Sequence, residues 1–168
     1  MIDRRSFLVR AAAGAGTVTI LPFAARAQGQ GDTFQTDSGQ ITVHPVSHAS
    51  FVMETPAGVI YADPVGDAAQ YADFPAPDLI LTTHQHGDHY NAETLAALGE
   101  APLVVNPAVM EMLPEDMAGR ATALANGEST EAMGITIDAI PAYNMTEGRL
   151  DFHPEGRDNG YVLTIDGF

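Results

Sequence analysis

Between Thr82 and His89 the chain reads Thr-Thr-His-Gln-His-Gly-Asp-His, which places three imidazoles, His84, His86 and His89, and one carboxylate, Asp88, within six residues. Packing has no use for three half-polar rings and an acid in one loop. A borderline-soft cation does, because zinc takes imidazole nitrogen and carboxylate oxygen at about 2.0 to 2.2 Å. Alternate side chains diverge in an extended turn, so His84 with His86 can serve one ion and Asp88 with His89 a second. Gly87 is expected to ease the backbone between the pairs. The chain has no cysteine, which excludes disulfides, thiolate metal sites and a cysteine nucleophile. Any metal must therefore rest on histidine and carboxylate, a donor set that suits Mn²⁺ or iron nearly as well as Zn²⁺.

The elements around this segment decide whether its donors can converge. Residues 79–83 form a compact apolar and β-branched run that leads straight into the histidines and predicts a buried strand. Asn91 is placed to cap a helix running through Leu95 and Leu98 to Gly99, so the donors sit between strand and helix. Residues 103–105 predict another buried strand. Asn106-Pro107 then opens a second helix that passes through Val109, Met110 and Leu113 and stops before Pro114. Upstream, residues 41–46, 50–54 and 59–62 are short β-rich runs separated by Pro45 and by the Thr55-Pro56-Ala57-Gly58 turn, which predicts an antiparallel meander. Downstream, residues 135–140 and 161–165 alternate apolar with polar, punctuated by Gly134, Gly160 and Gly167. This order predicts an α/β sandwich with helices on its outer faces and a site at strand ends.

The pattern His-x-His-x-Asp-His after a buried strand resembles the signature of the metallo-β-lactamase-fold hydrolases. His48-Ala49-Ser50-Phe51 is similar to the early-strand motif of the branch that includes L-ascorbate-6-phosphate lactonase-like and generic zinc-dependent hydrolases. Asp63-Pro64 matches the family's early aspartate. The resemblance extends over nearly all of residues 39–168. It implies an αββα sandwich with two Zn²⁺ ions, His84 and His86 on the first and Asp88 and His89 on the second. It also implies hydrolysis of an ester, lactone or phosphoester bond in a small molecule, with Asp88 as the catalytic residue that orients the attacking water and takes its proton. Families of this fold usually place a further histidine after the helical layer, at the end of a strand such as residues 137–141, where this chain has Tyr143-Asn144. In the resembling branch a Pro-Ala-Tyr-Asn segment followed by Phe-His-Pro does occur. His153 is then the available substitute, as a ligand or a substrate contact, with Tyr143 and Asn144 as candidates to position substrate.

Two further residues have readings of their own. Asp63 can accept a hydrogen bond from the second ring nitrogen of a ligating histidine, which would set that ring's tautomer and orientation. Its plainer reading is a turn residue before Pro64. His48, among small residues in a strand turn, reads as a satisfied structural histidine before it reads as a ligand, and His44, preceding Pro45, has no stronger claim. Both could line the cleft.

The N-terminus carries Arg4-Arg5, an uncharged apolar run from residue 11 to 25, and the small-x-small site Ala25-Arg26-Ala27. This resembles a twin-arginine export signal over residues 1–27, cleaved after Ala27, and predicts a periplasmic or otherwise exported protein that meets the twin-arginine export machinery. A 15-residue run rich in Ala and Gly and broken by Pro22 is short for a membrane span, so no stable span is expected after cleavage. Residues 28–38 read as a flexible linker and residues 39–168 as the folded domain. Cleavage removes four of the seven basic residues, all arginine, and one of the 22 acids, leaving 3 against 21 and a net charge of about −18 with histidine neutral. With no lysine and no basic stripe, nucleic acid is excluded as a partner and a small-molecule substrate is favoured.

In the resembling family the strand at residues 161–165 is followed by one carrying a bridging aspartate, then by helices and a final histidine. Residues 39–168 are therefore expected to hold only the N-terminal half to two-thirds of the sandwich. Two alternatives to the hydrolase stand beside it: a noncatalytic periplasmic metal-binding fragment, and a half-domain completed by dimerisation.

Overall fold

The computed structural model describes residues 31–165 and residue 167. The signal segment, residues 1–27, and the first part of the expected linker, residues 28–30, lie outside the described residues. Seven strands pair side by side in chain order: β1 (Asp32–Thr36), β2 (Gly39–Ser47), β3 (Ser50–Thr55), β4 (Gly58–Ala62), β5 (Leu79–Thr82), β6 (Leu103–Val105) and β7 (Ala121–Ala123). The first four are antiparallel and β4 to β7 are parallel. Parallel neighbours need crossovers, and these carry a short 3₁₀ helix (Ala68–Tyr71) and the helices α1 (Ala92–Ala97), α2 (Pro107–Met110) and α3 (Glu115–Ala118). A second, antiparallel sheet follows, formed by β8 (Ser129–Ala132), β9 (Ile135–Ala142) and β10 (Asp158–Thr164) in the order β10-β9-β8. Among the described residues no helix is long and apolar enough to cross a membrane.

The alternation of side chains along the parallel strands explains why three layers form. In β5, Leu79 and Leu81 point toward the second sheet and pack with Ile60, Val104, Ile135 and Ile137. Ile80 points the other way, into a cluster with Tyr61, Val105, Leu95 of α1 and Val109 of α2. Both faces of the middle sheet are thus buried, which is why β5 and β6 read as unbroken apolar runs rather than alternating ones. Leu79 and Ile80 are each 0% exposed, and each such side chain contributes about 1.5–3 kcal/mol of burial. The helices are short, so their caps carry much of their definition. Asn91 Oδ1 accepts from Thr94 N at 2.8 Å and Asn106 Oδ1 from Val109 N at 2.8 Å, with Pro107 pre-set in the first turn of α2.

Several expectations need correction. Residues 32–36, read as linker, form β1 on the edge of the first sheet, joined to β2 through the tight turn at Asp37-Ser38. Thr33, Phe34 and Thr36 favour extended backbone, but an edge strand exposed on both faces shows no hydrophobic alternation and so reads as polar chain. Pro45 does not separate strands. It lies within β2, beyond the reach of β1, whose pairing stops at Val43, and beside a register shift between Pro45 and Ser47. A proline is tolerated there because the edge asks for no donor. The second helix ends at Met110, with a separate turn of helix after Pro114. Gly160 lies inside β10 rather than at its end.

Candidate metal centre

The C-terminal ends of the parallel strands β4, β5 and β6 lie side by side, and each ends in a polar residue: Asp63 after β4, the histidine segment after β5 and Asn106 after β6. The segment after β5 turns tightly, with His89 N and Tyr90 N both donating to His86 O at 2.8 Å, so the four donors face one cleft. The connection between β9 and β10 closes over the same end. Asn106 Nδ2 ties it down by donating to Arg157 O at 2.9 Å, and the adjoining strand β10 is held to the end of β5 by Asn159 N donating to Thr83 O at 3.1 Å and Tyr161 Oη to Thr82 O at 3.0 Å.

This closure brings two groups of donors together. His84, His86 and His153 each offer a ligand atom within 4.8 Å of one another, and so do His48, Asp88 and His89. The rings of His84 and His153 are 4.9 Å apart and those of His86 and His153 4.8 Å. Residue 153 thus enters the first group from a loop about seventy positions downstream of the histidine segment. His44 joins neither group: its Nε2 is 2.9 Å from Glu54 Oε1 and its ring packs on Phe74. Asn144 is committed to the loop, its Nδ2 donating to Arg149 O at 2.8 Å while its backbone N donates to His153 O. Tyr143 is 40% exposed on the same loop. Gly87 is not the strained point of the segment. It lacks a positive φ, whereas His48 (φ 31) and Asp63 (φ 43) hold left-handed backbone conformations.

Hydrogen bonds settle which ring nitrogens are free. Asp63 Oδ1 accepts from Thr83 N at 2.8 Å, and Oδ2 accepts from Thr83 Oγ1 at 2.7 Å and lies 2.8 Å from His89 Nδ1. A hydroxyl has one proton, and Thr83 spends it on Asp63, so His84 Nδ1, 2.9 Å from Thr83 Oγ1, must be the donor there. His89 Nδ1 likewise donates to Asp63, and His153 Nδ1 donates to Asp158 Oδ2 at 2.8 Å. All three rings then carry their lone pair on Nε2. For His84 that atom is buried and has no hydrogen-bond partner, a condition that costs about 1–3 kcal/mol if nothing binds it. An electron-pair acceptor between His84, His86 and His153 would remove that cost, so the residues present fit a metal ion.

Electrostatics point the same way. Burial, reinforced by the neighbouring His89, pushes His84 down from 6.5 to about 4, which keeps it neutral and able to ligate at neutral pH. Asp88, exposed at the cleft mouth, is held below the usual carboxylate range chiefly by a hydrogen bond from its own backbone N–H, with help from His89 and His48. Burial raises Asp63 despite the hydrogen bonds from His89 and Thr83. At Asp158, 1% exposed, burial would raise the carboxyl, but hydrogen bonds from Arg157 (Nε to Oδ1 2.7 Å, Nη2 to Oδ2 2.9 Å) and His153 outweigh it and hold it low. The sequence reading missed Asp158, Arg157 and Thr83. The adjacent Arg157-Asp158 pair was the available signal, an isolated arginine beside an acid in a chain with few cations.

His84 has a consequence for the metal-free protein. Its folded value lies below its unfolded one, so the unfolded chain takes up a proton near pH 6.5 that the folded chain refuses until about pH 4. The stability this provides is present above pH 6.5 and lost as pH falls toward 4, on the order of 2 kcal/mol after allowing for solvent at the cleft mouth. Asp63 works in the opposite sense over the carboxylate range. Chelator-treated protein should therefore show a falling melting temperature between pH 6.5 and 4.5, and a flat profile would contradict a neutral buried His84.

With fold and site geometry in place, similarity to known proteins defines the class. The chain belongs to the β-lactamase superfamily: the family model described as "Beta-lactamase superfamily domain" matches residues 42–168. A UPF0173 metal-dependent hydrolase of Pyrococcus abyssi is 30% identical over 134 residues, covering 76% of this chain and 58% of the relative. A solved structure from Parabacteroides distasonis, assigned as a metal-dependent hydrolase, is 36% identical with a TM-score of 0.72, covering 83% of this chain and 63% of that one. The metallo-β-lactamase-fold protein YhfI of Bacillus subtilis shares the fold at 14% identity and a TM-score of 0.51, over 83% of this chain and 56% of its own. The superfamily and the fold expected from the sequence are borne out. The described residues supply one helical layer, the first sheet and three strands of the second. The chain spans a little under 60% of the length of the curated relative named above (58%).

Proposed function

We propose that this chain carries the metal centre of an exported metal-dependent hydrolase, with His84, His86 and His153 holding a first ion and Asp88 and His89 a second. The carrying observation is the buried, unpartnered Nε2 of His84, set among donors that hydrogen bonding has already turned toward a common point. Zn²⁺ is the ion the imidazole-rich set favours, with Mn²⁺ or iron as substitutes of similar fit. When bound, such ions bring the pKa of water toward neutrality and polarise a carbonyl or phosphoryl oxygen. Asp88, ionised and at the cleft mouth, orients the attacking water and accepts its proton. Asp63 and Asp158 hold the rings of His89 and His153 in the ligating tautomer. The substrate class is a small ester, lactone or phosphoester, and the twin-arginine-like segment at residues 1–27 assigns the protein to the periplasm or another exported location.

A second reading, a half-domain completed by another copy, draws on the outer face of the second sheet, where Ile140 on β9 and Val162 on β10 are 45% and 46% exposed. Metal content per chain, measured by elemental analysis of the purified mature protein, tests the main reading. About two ions per chain are expected, falling in His86→Ala, with turnover of nitrophenyl esters, lactones or phosphodiesters that chelator abolishes. Absence of bound metal would overturn it, and metal binding without any hydrolysis would favour the noncatalytic alternative.

A further inference from the structure

Arg157 is one of the few cations in a chain with 7 basic and 22 acidic residues, and the metal reading above leaves its purpose open. We propose that Arg157 is a positioning residue of the first metal position, a clamp that fixes the Asp158 carboxylate and through it aims the His153 ring at His84 and His86. This rests on that metal reading and adds to it the device by which a residue from a loop becomes a preformed ligand.

The guanidinium sits where three segments meet. Its Nε donates to Asp158 Oδ1 at 2.7 Å and its Nη2 to Asp158 Oδ2 at 2.9 Å, a fork that grips both carboxylate oxygens at once. Nη2 also donates to Phe152 O at 2.6 Å, one residue before His153. The same group meets the amide of Gln85, which stands between His84 and His86 in the histidine segment. The NH₂ of that amide would face only donors there, so its oxygen turns to the guanidinium and accepts from Nε at 3.1 Å and Nη1 at 3.3 Å. The backbone of the clamp is pinned as well, by Asn106 Nδ2 donating to Arg157 O. One side chain therefore ties together the histidine segment, the loop that carries His153 and the aspartate that orients its ring.

The direction of the His153 ring depends on this fork. His153 Nδ1 donates to Asp158 Oδ2, the same oxygen that accepts from Arg157 Nη2. The terminal torsion of an aspartate is soft, so a carboxylate with a single partner can turn, whereas one gripped at both oxygens cannot. With Oδ2 fixed, the line from Nδ1 across the ring to Nε2 is fixed too, and the ring stands 4.9 Å from that of His84 and 4.8 Å from that of His86. An ordinary surface ion pair does not describe this arrangement. The Asp158 side chain is 1% exposed, and every nitrogen of the guanidinium has a partner in the protein, which commits Arg157 to the scaffold rather than to solvent.

A double-mutant cycle of Arg157→Met and His153→Ala, read by calorimetric titration of the metal-free full chain with Zn²⁺, tests the assignment. The first position is the equivalent that weakens in His86→Ala. Arg157→Met should weaken it by about 10–100-fold in the wild-type background. When His153 is already alanine the further loss should be no more than about twofold, because the clamp acts through that ring. A merely structural role costs the same in both backgrounds. The cycle is run with Arg157→Lys as well, which keeps a cation beside the buried Asp158 and so should melt near the wild-type temperature without metal. An ammonium is a point charge that cannot grip both oxygens and reach Gln85 together, so most of the affinity loss should persist. Equal losses in the two backgrounds, or wild-type affinity in Arg157→Lys, would overturn the proposal. If wild type itself binds no Zn²⁺, the metal reading fails first and the clamp falls with it.

Discussion

Replacing Asp88 with alanine is expected to lower hydrolytic kcat/KM by about 10²–10⁴-fold, the range associated with losing a positioned general base. Such a loss corresponds to roughly 3–5 kcal/mol of transition-state stabilisation. Two effects combine in it. Asp88 is the only carboxylate in either donor group, so its removal takes away the anionic ligand of the second position. It is also a carboxyl held below the usual carboxylate range, chiefly by a hydrogen bond from its own backbone N–H. Folding should hardly change, because the side chain is 56% exposed. Asp88→Asn separates the effects: it keeps the volume and one oxygen but cannot take a proton, so turnover should fall further than affinity for the second ion. Steady-state kinetics and metal titration on the same preparations check this, and wild-type turnover in either variant would remove Asp88 from the mechanism.

Asp63→Asn is expected to weaken metal binding at the second position by about 10–100-fold while leaving the melting temperature of the metal-free protein almost unchanged. The reasoning concerns protons rather than size. The Asp63 carboxylate accepts from Thr83 N, Thr83 Oγ1 and His89 Nδ1 at once. An amide can accept from Thr83 N through its oxygen, but its NH₂ then faces the Thr83 hydroxyl and the His89 ring. His89 would have to accept on Nδ1 and carry its proton on Nε2, the atom needed by the metal. Thr83 would be free to donate to His84 Nδ1, which pushes that ring toward the wrong tautomer as well. The cost to stability is small because burial already disfavours the charged Asp63, so replacing it with a neutral group of equal size relieves desolvation while it disturbs hydrogen bonds. Unaltered affinity in Asp63→Asn would mean that the aspartate is only a turn residue.

Much of this was legible in the linear chain. The density of imidazole and carboxylate in residues 84–89 has no packing explanation, so the location of a metal-binding segment could be read directly. β5, β6 and the caps Asn91 and Asn106 were equally plain, because buried parallel strands and helix N-termini depend on local composition and on residues three positions apart. Edge elements were not. β1 hides as polar chain and β7 and β8 are only three and four residues long, since their stability comes from neighbours distant in sequence.

What the sequence by itself determined was the chemistry on offer: histidine and carboxylate donors, no thiolate, a strand-to-helix loop to present them, and membership of a superfamily that uses such loops. What only the tertiary structure decided was the grouping. His153 stands with His84 and His86 because the β9–β10 connection folds across the strand ends, and His48 stands with Asp88 and His89 because a bulged hairpin is pinned to Asp63. The free nitrogens of His84, His89 and His153 were settled the same way, by single hydrogen bonds that their Nδ1 atoms donate to Thr83, Asp63 and Asp158. The physical reason is that a ligand atom must be placed to a fraction of an ångström by contacts between segments far apart in the chain, and no local preference of the backbone carries that information.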